Sequence, residues 1–400
     1  MGPLFNAART VALLSIFVAA ALGALQGCAT TPTTSTAPPS SLPATLLQDS
    51  LFPGLSEVPD AQQVFAMSPA MRAYADTELS AVNRQADPRR ALIDALYKSP
   101  LRLAYDTSIT RNAAEAFEAR AGNCLSLVIM TASFARHLGL PISFQAVQVD
   151  DFYTREGNLV LASGHVNLQL ASPPRRLSVS RVDDTTLTVD FMPQDGLRGQ
   201  RSRPIGAKTI VAMYLNNRAA ELLVDGHTAQ AYSWARASLL TDPAFASAAN
   251  TLGVIYRRAG HASPAEAAFA HALAIDSDST GALGNLVRLL DGQGRGAESA
   301  PLAARLARLQ PEPPFHHFNL GRQAMEAGRT AEARDLFLRE LRRQPDQHEV
   351  HFWAALAYWQ LGQRELAVRH LNQAVQFSVN RSTQDRYAAN LEHLRQQRLQ

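Results

Sequence analysis

Along the second half of the chain, small, apolar and helix-ending positions return with a single period. Pro243, Ser277, Pro311, Pro345 and Val379 follow one another at intervals of 34 residues, and twelve residues before each stand Ala231, Ala265, Ser299, Ala333 and Ala367. Leu252-Gly253, Leu286-Val287, Leu320-Gly321 and Ala354-Ala355 keep the same step, as do Tyr256, Leu290, Ala324 and Tyr358. Small residues let two helices cross closely, and a proline ends a helix because it cannot continue the hydrogen-bond ladder. The pattern predicts five helix pairs over 212–379, the first degenerate, with Arg218-Ala219 at the Leu-Gly position. A polar capping helix follows within 380–400, with Ser382 and Asp385 spaced as a capping box.

The first half reads differently. Helical spacing over 70–82 and 89–97 is broken near Pro53, Pro59, Pro88 and Pro100, and a short helix is expected over 112–121. Residues 124–138 contain neither glycine nor proline and are apolar nearly all round, with Asn123 at the start and Gly139 and Pro141 at the stop. That describes a buried helix. Alternation then predicts strands over 141–149, 164–170 and 185–191. The fold class expected is an α+β domain over 46–205, helices on a small antiparallel sheet, followed by an all-α solenoid over 212–379.

The 34-residue period resembles the tetratricopeptide pattern. That resemblance implies a protein or peptide ligand held on the face lined by the first helix of each repeat. The residues this places there are Phe315, Phe318, Arg322 and Met325 in the fourth repeat, with Phe352, Leu356 and Trp359 in the fifth. Each aromatic residue could instead pack between neighbouring repeats.

The extreme N-terminus reads as an address. Arg9 precedes an apolar run over 11–25, too short for a comfortable membrane span of about 20 residues, which is followed by Gln26, Gly27 and Cys28. These are the parts of a secretory signal over 1–27. The Leu25-Gln26-Gly27-Cys28 stretch resembles a lipobox, which implies that Cys28 carries a lipid. With Ala29 after it, the resemblance implies an outer-membrane lipoprotein facing the periplasm. The Thr/Pro/Ser/Ala-rich stretch that opens the 28–45 linker cannot build a core and reads as a tether.

A formal net charge of +3 is too small to mark a nucleic-acid binder, and no such motif is present. His316 and His317 are adjacent on a helix and point to different faces, and no Cys/His spacing suits zinc. The Gly292–Gly296 glycines read as a turn between helices rather than a phosphate loop. No metal or cofactor is expected.

The chain has two cysteines. With Cys28 assigned to the lipid, Cys124 is the only thiol of the mature chain, and it falls in the first turn of the buried helix. Unpaired N–H groups and the positive end of the helix dipole favour a thiolate at such a place. Strand alternation sets His165 and Asp190 on the polar side of their strands, where a base and its orienting carboxylate could meet. Glu115-Ala116-Phe117, Gly122-Asn123-Cys124, His137-Leu138-Gly139-Leu140-Pro141, Gly164-His165-Val166 and Val189-Asp190-Phe191 together resemble the transglutaminase-like superfamily over roughly 100–195. The resemblance implies a catalytic Cys124–His165–Asp190 triad and thiol acyl transfer, of protease, amidase or transglutaminase type. Val166-Asn167 lacks the tryptophan common after the histidine, and the interval to Asp190 is long, with Pro173-Pro174-Arg175-Arg176 within it. Asp183 and Asp184 are weaker candidates for the third role. The alternative is an envelope scaffold whose first domain is catalytically idle.

Overall fold

The computed structural model describes residues 41–98, 101, 103–106, 109–156, 159–171, 186–191, 201–378 and 381–396. The signal segment, Cys28, nearly all of the tether, Pro173–Arg176, Asp183 and Asp184 lie outside the described residues.

Two prolines of the N-terminal half open helices, and one of them, Pro88, is among those that break the helical pattern. Ser68 caps α2 (Pro69–Thr77) by accepting from Met71 N, and Asp87 caps α3 (Pro88–Tyr97) by accepting from Arg89 N. In both, proline takes the first helical position, where its missing N–H costs nothing. The four-residue α1 (Ala61–Val64) precedes them. Next come α4 (Ala113–Ala119), opened by an Asn112/Glu115 capping box, and α5 (Cys124–His137).

Among the described residues four strands make the main sheet: β3 (Ile142–Glu156), β4 (Leu159–Leu170), β5 (Leu187–Val189) and β6 (Arg201–Ile205), antiparallel in the order β5-β4-β3-β6. A parallel two-residue pair, β1 (Ala104–Tyr105) with β2 (Ala121–Gly122), lies beside the start of α5. Helix α5 is the centre of the first core, with every residue from Leu125 to Ala135 buried. Val166, Leu168, Leu170, Val189 and Phe144 of the sheet pack with it.

The β3–β4 hairpin is longer than alternation suggests. Pairing runs regularly from Ile142↔Leu170 to Val147↔His165, slips, and resumes from Phe152↔Ser163 to Glu156↔Leu159. An irregularity of this kind breaks period-two alternation, so the strand beyond 149 carries no clean signal.

The repeats occupy ten helices in antiparallel pairs. They are α6 (Ala207–Val224), α7 (Thr228–Thr241), α8 (Ala246–Arg258), α9 (Ala262–Ile275), α10 (Thr280–Gly292), α11 (Gly296–Leu309), α12 (His316–Glu326), α13 (Thr330–Arg343), α14 (His348–Gln360) and α15 (Arg364–Phe377). Each second helix ends two residues before one of the period-marking positions 243, 277, 311, 345 and 379. Between paired helices, Gly226, Gly260, Gly294, Gly328 and Gly362 take φ from 73° to 85°, a left-handed conformation that glycine adopts without penalty. The residue after each donates back to the preceding helix, as His227 N does to Leu222 O. Helix α16 (Arg381–Gln396) closes the array, its Tyr387 stacking on Phe352 with ring centroids 4.9 Å apart.

Two boundaries differ from those expected. Helix α6 starts at Ala207, and Ile210, Val211, Tyr214 and Leu215 complete the first core rather than the repeat core. In the other direction, Leu46 and Phe52 belong to the core of the first repeats. Phe52 stacks on Tyr232 at 4.3 Å, Tyr232 Oη donates to Asp49 Oδ1 at 2.7 Å, and Tyr256 Oη donates to Leu46 O at 2.9 Å. The segment expected to begin the α+β domain is thus bound to the repeats, because two apolar side chains and two hydrogen bonds find partners there.

Candidate functional site

Cys124 stands at the first position of α5. Asn123 caps that helix, its Oδ1 accepting from Ser126 N at 2.9 Å and from Ser126 Oγ at 2.9 Å. Gly122 is required at the approach: a Cβ there would lie 2.7 Å from Ser126 Cβ, so any side chain would push the helix start away. The cap is itself held from outside. Asn123 Nδ2 donates to Thr110 Oγ1 at 2.9 Å, which also accepts from Asn217 Nδ2 of α6 at 3.3 Å. Thr110 N donates to Glu221 Oε1 at 2.7 Å, and Arg218 pairs with Glu221 at 2.6 Å. Burial raises the Glu221 carboxyl, with Arg218 and Thr110 opposing it. The first repeat helix therefore buttresses the start of the thiol helix.

His165 is 3% exposed on β4, and its neighbours Val166, Asn167 and Leu168 are buried as well. Alternation separates the two side-chain sets correctly, but both are covered, so the polar set faces an enclosed site rather than solvent. His165 Nε2 lies 2.7 Å from Asp190 Oδ1. Asn167 Nδ2 points at the other carboxylate oxygen, Asp190 Oδ2, at 3.4 Å. Asp190 follows β5 directly and is fixed by its flanks: Val189 is buried, and the Phe191 ring sits 5.1 Å from that of Tyr97. Tyr97 is anchored in turn by a 2.5 Å hydroxyl contact to Thr131 of α5.

With Nε2 engaged by Asp190, the imidazole has Nδ1 left, which is buried and makes no hydrogen bond to the described residues. The Cys124 thiol lies close enough to act electrostatically on this imidazole. Burial pulls the imidazole pKa down. The hydrogen bond to Asp190 and the nearness of Cys124, with the charges of both, outweigh burial and raise it to about 9. The structure thus brings together Cys124, His165 and Asp190 from α5, β4 and the end of β5. This arrangement can hold an imidazolium between a sulfur and a carboxylate and pass a proton at Nδ1.

Sequence reasoning did not single out Tyr105. On β1, opposite Gly122, it lies beside the thiol: although the residue is 52% exposed, partial burial of its hydroxyl end, then the charge of Cys124, raises its phenol, with a smaller effect from Asp190. A two-residue strand after several breaks carries no pattern that could have marked it.

The repeat face holds a second arrangement. Phe315 and Phe318, expected to await a ligand, are 2% and 0% exposed. They pack edge-to-face at 6.2 Å, Phe318 lies 5.8 Å from Phe337, and the chain's own β3 covers them. The Arg155 guanidinium sits 4.9 Å over the Phe318 ring and 6.0 Å from that of Phe315. Arg322 lies 5.1 Å over Trp353 and pairs with Glu326 at 3.7 Å. Phe352 is engaged by Tyr387, and Trp359 is half-buried with Arg364 over its ring at 5.4 Å. Two of the five expected contact aromatics and arginines are thus closed off, and the others carry contacts within the chain.

A tetratricopeptide repeat family model matches residues 285–348 and 318–381. The C-terminal half carries tetratricopeptide repeats. Among solved structures, that of Pseudomonas aeruginosa pilF is 22% identical, covering 47% of this chain and 94% of that one, with a TM-score of 0.30. TTC0263, a thermophilic TPR protein of Thermus thermophilus, is 17% identical over 45% of this chain and 98% of its own, with a TM-score of 0.32. YrrB, described as a TPR protein with an unusual peptide-binding site, is 19% identical over 44% of this chain and 92% of its own, with a TM-score of 0.25. No curated protein matches the chain.

The tetratricopeptide motif explains two close approaches in the array. A Cβ on Gly253 would fall 2.4 Å from the Phe269 ring, and one on Gly321 would fall 2.5 Å from that of Phe337. The Leu-Gly position is small because an aromatic ring of the partner helix fills the space a side chain would take. Among the described residues no group of three or more His, Cys, Asp or Glu side chains converges as a metal site.

Proposed function

We propose that the protein is a lipid-anchored, periplasm-facing thiol acyl-transfer enzyme of transglutaminase-like type whose tetratricopeptide array binds a protein or peptide. The observation that carries the catalytic part is the 2.7 Å contact of His165 Nε2 with Asp190, on an imidazole that also feels the thiol at a helix start. In the reaction, Cys124 Sγ forms a bond to the acyl carbon while its proton passes to His165 Nδ1. Collapse of the tetrahedral adduct breaks the bond to the leaving amine, which takes that proton. Water or a second amine then releases the acyl group, with His165 removing the proton of the attacking group. Asp190 holds the imidazole in orientation and stabilises its charge, and backbone N–H groups at the start of α5 face the developing oxyanion.

The test is the pH profile of Cys124 alkylation by iodoacetamide in the wild-type chain and in H165A. The expected outcome is alkylation of Cys124 that depends on the histidine, reduced at least tenfold at pH 6.5 in H165A. A wild-type profile that follows an ordinary thiol and ignores the histidine would leave the first domain as a platform for the array.

A further inference from the structure

The end of β3 lies on the first-helix face of the fourth and fifth repeats and makes there the kinds of contact a bound peptide makes. Arg155 Nη1 donates to Asn319 Oδ1 of α12 at 3.0 Å, and Arg155 Nε lies 3.3 Å from Glu349 Oε2 of α14. The Phe318 ring closes the other side of the guanidinium at 4.9 Å. The arginine and glutamate side chains are only 12% and 20% exposed. Two residues earlier, Tyr153 packs against the cluster of Phe315, Phe318 and Phe337, and Gln310 Nε2 donates to its hydroxyl at 3.0 Å. Gln347 Nε2 donates to the main-chain Tyr153 O at 2.7 Å.

These contacts separate into two kinds. The Gln347 bond reads backbone and is indifferent to sequence. The carboxylate, amide oxygen and ring around Arg155 form a site fitted to a planar guanidinium with several donors, which a lysine ammonium would fill poorly. In an extended chain, residues two apart point the same way, so one strand can deliver an aromatic ring and an arginine together. Glu349 is the fifth-repeat counterpart of Phe315, 34 residues on, so the receptor draws on the starts of the first helices of consecutive repeats.

We propose that the first-helix face of repeats four and five is a receptor for an extended segment of the form aromatic–x–Arg, and that Tyr153 and Arg155 occupy it in cis until a partner protein displaces them. The inference rests on the reading of the array as a peptide-binding surface and names what it binds. It also ties binding to the thiol site, because β4, the strand paired with the displaced end of β3, carries His165. An internal occupant lowers the competent fraction of the receptor, and the apparent dissociation constant rises in proportion.

The experiment titrates a fluorescent, end-blocked peptide of residues 151–156 into the full chain and follows anisotropy. The double variant Y153A/R155A is expected to bind at least tenfold more tightly than wild type. Adding E349K to it should return binding to the wild-type level or weaker, and a peptide with lysine in place of arginine should also bind more weakly. Equal affinity of wild type and the double variant, or indifference to E349K, overturns the proposal. A second arm uses unaltered protein: excess peptide should speed amide hydrogen exchange at 153–156, and unchanged exchange counts against in-cis occupancy. Panning a randomised peptide library on the double variant separates the two levels of failure. Enrichment of a different motif sinks this receptor but keeps a peptide-binding array, whereas no enrichment sinks both.

Discussion

His165 concentrates the electrostatics of the candidate site. Burial alone would leave the imidazole neutral, yet Asp190 and Cys124 raise it to about 9. Its value in the unfolded chain is about 6.5, so the folded state holds the proton more tightly. The stabilisation this provides is complete below about pH 6.5 and is lost as pH rises through about 9. Asp190→Asn removes the carboxylate charge and leaves burial less opposed. The imidazole pKa of the variant should fall by more than one unit, measured by NMR titration of the His165 ring. Urea midpoints of wild type and D190N should lie further apart at pH 6 than at pH 9.5. A His165 pKa that stays near 9 in the variant would remove Asp190 from the orienting role.

Among the elements, the repeat helices are the most legible and the hairpin the least. Residues 231, 265, 299, 333 and 367 are small because each is buried at a helix crossing, and the sequence shows this as a period. Gly321 belongs to the same logic. Gly321→Val puts a branched side chain where a Cβ already meets the Phe337 ring at 2.5 Å. Overpacking of this kind costs about 1–3 kcal/mol, and the variant's midpoint in chemical denaturation should drop accordingly. A midpoint equal to wild type would mean that the ring moves aside freely. Helix α5 was equally readable, from its cap at Asn123 to its glycine stop. The length of β3 and β4 was not, because the slip between Val147 and Phe152 removes the alternation and the end of β3 is held by side chains nearly 200 residues away.

At the scale of the whole molecule, two exchanges tie the halves together. Segment 46–56 packs on the first repeats, and α6 of the first repeat fills the core of the α+β half. A chain ending at residue 205 lacks Ile210, Val211, Tyr214 and Leu215, all 1% exposed or less. Loss of a single large buried side chain costs about 2–5 kcal/mol, and domains are stable by only about 5–15 kcal/mol. The fragment should therefore show no cooperative thermal transition by circular dichroism, while a chain ending at 241 should regain one. Cooperative melting of both fragments at similar temperatures would show that α6 is dispensable to the first core.

The sequence by itself determined what local periodicity and capping encode: five helix pairs, a polar closing helix, and a buried helix that starts at Asn123-Cys124. It also set His165 and Asp190 at parity positions that allowed them to meet. Only the tertiary structure decided that they do meet, because the 2.7 Å contact depends on β5 pairing with β4 and on Phe191 packing against Tyr97. The same holds for Tyr105 beside the thiol, Glu221 behind the cap, and Arg155 on the repeat face. Each joins residues that are distant along the chain or sit on elements too short to carry a pattern. Their partnership follows from packing, which no local spacing records.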